Sequence, residues 1–435
     1  TEALIIETID RHREEILEFA RDIYSHAELG YKEFQTSGKF VKKMEQLGLR
    51  TEKGFAITGV KAYLNEDKKE NASLALLGEL DALRIPEHAF ANPETNAAHC
   101  CGHHAQMAGV FGAALALTVP EIAEKLDGQV VFFATPAEEY GEIEFKNQLR
   151  EQGKIRYGGG KCELLRIGAF DDIDLCLTHH IRPGNEILVG SGTGNGFVSK
   201  VIRVLGKASH AAGAPEKGVN ALSAASLGLQ ALGLNRETFR DEDCVRVHPI
   251  ITKGGNLVNV IPDEVVVETL VRGKTIEAFT DAAKKTDRSF KAGAIAMGAK
   301  VEISTLPGYL PTLAEEALPE LKHAAEISAS GIPVIEASGH AGGSTDVGDV
   351  QHLMPVYTFN TGGVKGGLHQ IDFEVTDEEE AYIVTAKMFA LAAYGLLKEK
   401  AQRSRELVDQ YEPVFKNSAE YVEFMEQFDS KEIFE

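Results

Sequence analysis

Three runs of strand length, SLALLGEL from Ser73, QVVFFATP from Gln129 and IDLCLTHH from Ile173, end in residues that carry chemistry: Asp81, the pair Glu138 and Glu139, and the pair His179 and His180. The Gln129 run is apolar on both faces, as a central parallel strand covered by helices on both sides must be. In open α/β sheets of this kind the ligand site lies beyond the carboxyl ends of the strands. Between the first two runs comes HCCGHHAQMAGVFGAALALT, His99 to Thr118, in which a Cys/His cluster passes at once into an apolar run that reads as a buried helix. Cys101 and His103 thereby fall on the first turn of a core helix, and thiolate with imidazole suits zinc and related transition metals. A redox or structural cysteine pair is the competing reading, although adjacent Cys100 and Cys101 are badly placed to bridge each other.

From about Thr193 the pattern changes. GFVSKVIRVLGKASH alternates by twos, Gly218 to Leu234 reads as a helix, CVRVHPIIT and EVVVETLVR alternate again, and a helix and the short strand KVEIST follow. Strand, helix, two strands, helix, strand makes a small α+β, ferredoxin-like unit inserted into a larger α/β domain. The implied division is a catalytic domain from 1–192 and 306–400, the insert at 193–305, and a C-terminal helical extension at 401–435. Gly48 stops an early helix that Thr36 or Ser37 can cap.

With 45 basic against 66 acidic residues the chain carries a formal charge of −21, which argues against a nucleic-acid partner. The apolar run Met107 to Pro120 is shorter than the roughly 20 residues that span a bilayer. The first helix is charged and amphipathic, unlike a signal peptide. No membrane association is therefore expected. Five scattered cysteines fit a reducing compartment, and the expected location is the cytoplasm.

Taken in order, HAELGYKEFQTS, GELDAL, HCCGH, TPAEE, GAFDDIDLCLTHHIRP, GKASHAAGAPEKGVNAL, GGNLVNVIPD, GGSTDVGDV and GGLHQIDF resemble the aminoacylase and carboxypeptidase family of dinuclear metallohydrolases. The likeness runs from about Ala27 to Leu397. It is strongest to the branch holding p-aminobenzoyl-glutamate hydrolases, auxin-conjugate amidohydrolases and β-alanyl dipeptidases. The resemblance implies an α/β fold with a zinc-peptidase-like catalytic domain, built on a mixed, mostly parallel sheet, and a lid that forms a homodimer. It also implies two divalent cations, Zn²⁺ or Mn²⁺, held by Cys101, His103, Glu139, His180 and His369. Glu138 becomes the catalytic base, and Asp81 the carboxylate that orients a ligand histidine. His210 in the lid is aimed at the developing oxyanion, often from the partner subunit, while Asn259 and Arg272 hold a substrate carboxylate.

The chemistry of the residues agrees with that assignment. Two cations about 3.5–4 Å apart can share a thiolate, lower the pKa of a water and polarise a carbonyl. The water then needs a proton acceptor that is not itself a ligand, and adjacent glutamates can divide those jobs. His179 and His180 compete for one ligand position because strand neighbours point to opposite sides; the resemblance implies His180, since HIRP matches the family's ligand histidine with a proline three places on. The expected substrate is a small amide with a free carboxylate. Two other readings stay open: a metal-free thiol hydrolase with Cys101 as nucleophile and His103 as base, and a small-molecule binding protein without activity. The chain departs from the family pattern at His104 and Gln106, in an insertion from Gly141 to Tyr157, and in the tail.

Overall fold

The computed structural model describes residues 1–329 and 331–435. The chain forms two compact units, one of Thr1–Gly192, Leu313–Gly339 and Asp349–Ser418, the other of Thr193–Thr312, His340–Gly348 and Ala419–Glu435.

The first unit is built on an eight-stranded sheet. Its centre is four parallel strands in the spatial order Gln129–Thr135, Ser73–Glu79, Leu175–Ile181 and Val356–Thr361. Gly59–Leu64 and Arg50–Phe55 extend one side antiparallel. Ile187–Val189 and Val334–Glu336 extend the other. Every residue of Ser73–Glu79 and Gln129–Thr135 is buried, which is why these stretches read as continuous apolar runs. The helix His103–Leu117 is buried along its whole length. It packs against Ser73–Glu79 and against the long helix Thr385–Gln410.

Gly102 precedes that helix at φ 80, and a Cβ there would lie 2.0 Å from Ile181 Cγ2. Only glycine lets the chain turn from the Cys101 loop into the helix so close to the sheet. The start of helix Phe34–Gln46 is held differently from the sequence expectation. Thr36 and Ser37 lie inside the helix, and the buried Glu28 carboxylate accepts from the Gln35 and Thr36 amides.

The segment Glu379–Gln410 is long and apolar enough to cross a membrane, longer than the run Met107 to Pro120, but 83% of its most apolar window is buried inside the protein. Its helix is broken at Lys398–Ala401, where Glu399, Lys400 and Ala401 adopt left-handed conformations.

In the second unit Gly196–Leu205 lies between Glu264–Gly273 and Lys300–Tyr309, all antiparallel. Burial alternates residue by residue along Glu264–Gly273, and the buried side packs under helices Ala221–Asn235 and Ile276–Met297. The insert differs from its sequence boundaries in two ways. Its last strand runs beyond 305 to Tyr309, and the loop His340–Gly348 joins it. The tail is not wholly helical either: after helix Ser418–Glu426, residues Ser430–Phe434 pair with Val301–Thr305 as an edge strand of this sheet.

A close helix–helix contact of the first unit predicts a stability effect. A Cβ on Gly112 would lie 2.5 Å from Ala386 Cβ and 2.9 Å from Ile16 Cδ1. Gly112→Val should therefore cost about 1–3 kcal/mol through overpacking, read as a lowered midpoint in chemical denaturation.

Candidate dinuclear metal site

At the carboxyl ends of the central strands, two groups of side chains converge on Cys101. Its Sγ lies 3.3 Å from His180 Nε2 and 3.2 Å from His369 Nε2. His369 Nε2 is in turn 3.0 Å from Glu139 Oε1. Cys101, His103 and His180 form one potential metal-binding trio, and Cys101, Glu139 and His369 form another, so the thiolate is common to both.

The backbone aims these groups. His180 Nδ1 is 2.8 Å from the Ile181 carbonyl, and His103 Nδ1 is 2.8 Å from the Asp81 carbonyl. A neutral ring that donates from Nδ1 to a carbonyl leaves Nε2 as a lone pair, so on losing its second proton each imidazole offers Nε2 as the ligand atom. His369 sits in a left-handed conformation, φ 64, with its amide bonded to the Cys100 carbonyl. His179 points to the other side of its strand, bonding Thr361 and packing against Phe359.

Asp81 contributes more than the orientation of one histidine. Its Oδ1 lies 3.3 Å from His103 Nδ1, and its two oxygens accept from the amides of Glu138 and Glu139. Glu138 is buried, with Oε2 3.8 Å from His103 Nε2.

The donor set fits divalent cations. His103 Nε2 and Glu139 Oε1 are buried without an aligned hydrogen-bond partner among the described residues, although charged neighbours stand close to both. Atoms that converge in distance but not in hydrogen-bond alignment suit a shared ion. Thiolate, imidazole and carboxylate together suit zinc or manganese. Burial, reinforced by the Glu139 carboxylate, pushes the Cys101 thiol well up. Burial would also raise Glu139, but His369 holds it down at about 2.

Glu79 was missed in the sequence. It precedes Asp81 by two positions, and alternate strand residues share a face, which was the available signal. Its Oε2 lies 3.1 Å from His103 Nε2, and Oε1 lies 2.5 Å from the buried Lys161 ammonium. Against its burial, Lys161 and His103 hold Glu79 at about 2. Gln106 grips the same residue, accepting from its amide and donating to its carboxylate, each at 2.8 Å. The other departure, His104, packs between Tyr24 and Tyr382.

In the second unit His210 is exposed, and its Nδ1 accepts from the amides of Gly213 and Ala212 at 2.9 and 3.2 Å. Its ring proton is therefore on Nε2, facing outward as a donor. Asn259 is beside it, its carbonyl accepting from the Ala211 amide. Arg272 is elsewhere. It pairs in register with Phe197, whereas the chain leading to His210 leaves from the other end of that strand pair, at Leu205 and Glu264. At about 3.3 Å per residue this puts roughly 25 Å of strand between Arg272 and the end from which the chain continues to His210 and Asn259. Arg272 is held by Ser344 Oγ at 2.8 Å and by the face of Phe197. In one copy of the second unit, Asn259 and Arg272 thus belong to opposite ends of that strand pair.

A model of the peptidase family M20/M25/M40 matches residues 75–394. The chain belongs to that family. Mouse Xaa-Arg dipeptidase is 27% identical over 91% of this chain and 85% of its own length. The N-acetylcysteine deacetylase of Bacillus subtilis is 26% identical over 88% and 97%. Two solved structures share the fold. A dinuclear metal-binding M20 peptidase of B. subtilis has TM-score 0.62 and 24% identity, covering 89% of this chain and 99% of its own. An aminobenzoyl-glutamate utilization protein of Klebsiella pneumoniae has TM-score 0.65 and 19% identity, covering 90% and 98%. As an M20-family member the chain is a metal-dependent amide-bond hydrolase, and its site is one for two metal ions.

Because the Cys101 thiol holds its proton in the metal-free protein, cation binding must release it, and affinity should rise with pH. Calorimetric titration of Zn²⁺ or Mn²⁺ in buffers of different ionisation enthalpy should show proton release. Cys101→Ser should lower that release, leaving the share of His103, which its carboxylate neighbours hold protonated against its burial, and weaken both ions, while Cys100→Ala leaves metal content intact.

Proposed function

We propose that this enzyme hydrolyses the amide joining an acyl, aroyl or aminoacyl group to an amino acid with a free carboxylate. The observation that carries the reading is the pair of ligand trios sharing Cys101, with Glu138 beside His103. The names of the relatives support the substrate class: one is an Xaa-Arg dipeptidase, one an N-acetylcysteine deacetylase and one a subunit of a p-aminobenzoyl-glutamate hydrolase.

In this reading Cys101, His103, Glu139, His180 and His369 hold two divalent cations, Zn²⁺ or Mn²⁺. When bound, these ions polarise the substrate carbonyl and make a water more acidic. Glu138 takes the proton from the attacking water and returns it to the leaving amine, as a general base and then a general acid. Asp81 fixes His103 and the Glu138 amide. His210, with its proton on Nε2, donates to the developing oxyanion, and Arg272 grips the substrate carboxylate through its planar fork.

The separation of His210 and Asn259 from Arg272 supports a homodimer through the lid, in which the first two residues serve the partner's site. Five free cysteines support a reducing, cytoplasmic location.

Two experiments test this. Glu138→Gln should retain its metals and lose at least the roughly 10²–10⁴-fold of general-base catalysis. Mixed and re-equilibrated with an inactive His210→Ala variant, it should recover about a quarter of wild-type activity, the value for random pairing of two-fold dimers; no recovery refutes the shared site. For the carboxylate, amidating the substrate and Arg272→Ala should each slow hydrolysis. The variant should lose little more on the amidated substrate, because groups in direct contact are non-additive. Additive losses would move carboxylate recognition away from Arg272.

A further inference from the structure

The turn Ala137–Glu139 carries both glutamates, and Ala137 is held at φ 48, a left-handed conformation that alanine resists. Such a turn persists only when its surroundings over-determine it, and its backbone polar groups are taken up one after another. The Ala137 amide donates to Glu33 Oε1 at 2.8 Å, and the Ala137 carbonyl accepts from the Gly160 amide at 2.9 Å. The amides of Glu138 and Glu139 go to Asp81. The Glu139 carbonyl accepts from Lys146 Nζ at 2.6 Å.

Two of the side-chain partners have no place in the chemistry proposed above. Glu33 is fully buried, and its second oxygen accepts from Thr58 Oγ1 at 2.7 Å. Lys146 is buried on the short helix Ile143–Glu151, inside the insertion that sets this chain apart from the family pattern. The fit leaves no room for adjustment. A Cβ on Gly160 would fall 1.6 Å from the Pro136 carbonyl, and one on Gly30 would press on Ala137 at 3.1 Å.

We propose that Glu33 and Lys146 are positioning residues that clamp the Ala137–Glu139 turn from its two ends and so set the aim of Glu138. The inference rests on the roles proposed above for the two glutamates. It extends them to residues that touch neither substrate nor metal. It also assigns the insertion a purpose: its lysine closes the clamp on the Glu139 side.

The test compares Glu33→Ala, Glu33→Gln and Lys146→Met in the full chain by hydrogen–deuterium exchange over 136–141 and by steady-state kinetics at saturating metal. Glu33→Ala and Lys146→Met should speed exchange in this segment and lower kcat by about 10–10²-fold, with KM little changed, as misaimed catalytic groups do. Glu33→Gln keeps an acceptor for the Ala137 amide and should restore both readouts. Unchanged exchange in Glu33→Ala and Lys146→Met overturns the clamp. Faster exchange with unaltered kcat, or a kcat loss that Glu33→Gln does not restore, overturns the positioning role. Should Glu33→Ala fail to fold, Lys146→Met and Glu33→Gln decide by the same measures. An inactive wild-type protein would count against the proposed reaction, and exchange alone would then judge the clamp.

Discussion

The buried carboxylate of Asp81 ties together the parts of this site that the chain supplies from far apart. It stands at the end of a central strand, faces the imidazole of His103 at the start of the core helix, and accepts from both glutamate amides of the next strand's turn. A fully buried carboxylate is costly unless its oxygens are satisfied, and here the satisfying donors are the site itself. The aim of His103 and the aim of Glu138 are therefore not independent, since a movement of either is felt through the same two oxygens.

Charge balance extends this arrangement. Glu79, Asp81, Glu138 and Glu139 crowd the strand ends, and Lys161, buried behind Glu79, supplies one fixed positive charge. Burial, with Asp81 nearby, pushes the Glu33 carboxyl up to about 8, so this residue serves as a hydrogen-bonding group with little net charge near neutrality. The site thus keeps its anions where cations bind and a neutral acid where only geometry is needed.

Much of this was legible because the chemistry sits at strand ends and on one helix start, where spacing has a fixed spatial meaning. Asp81, Glu138, Glu139 and His180 follow apolar runs that can only be central strands. Glu33 and Lys146 were illegible for the opposite reason: their partners are backbone groups, which have no letter in the sequence. The distance between Arg272 and Asn259 was hidden too, because thirteen positions can be a tight turn or most of a ten-residue strand. The fate of the tail could not be read from SKEIF, which is too short and too charged to announce a strand until an open edge receives it.

That edge has a consequence for how the protein is made. Lys300–Tyr309 is complete long before the ribosome reaches Ser430–Phe434, the segment that pairs with it. During that interval the newly formed sheet of the second unit presents a row of unpaired amides and carbonyls, the kind of edge that invites another strand. Its outer face at Glu302 carries a charge that Arg203 and, later, Lys431 meet. Synthesis of the later part of the first unit therefore proceeds with the sheet of the second one strand short. The chain's own late segment must reach that edge before a neighbouring nascent chain does.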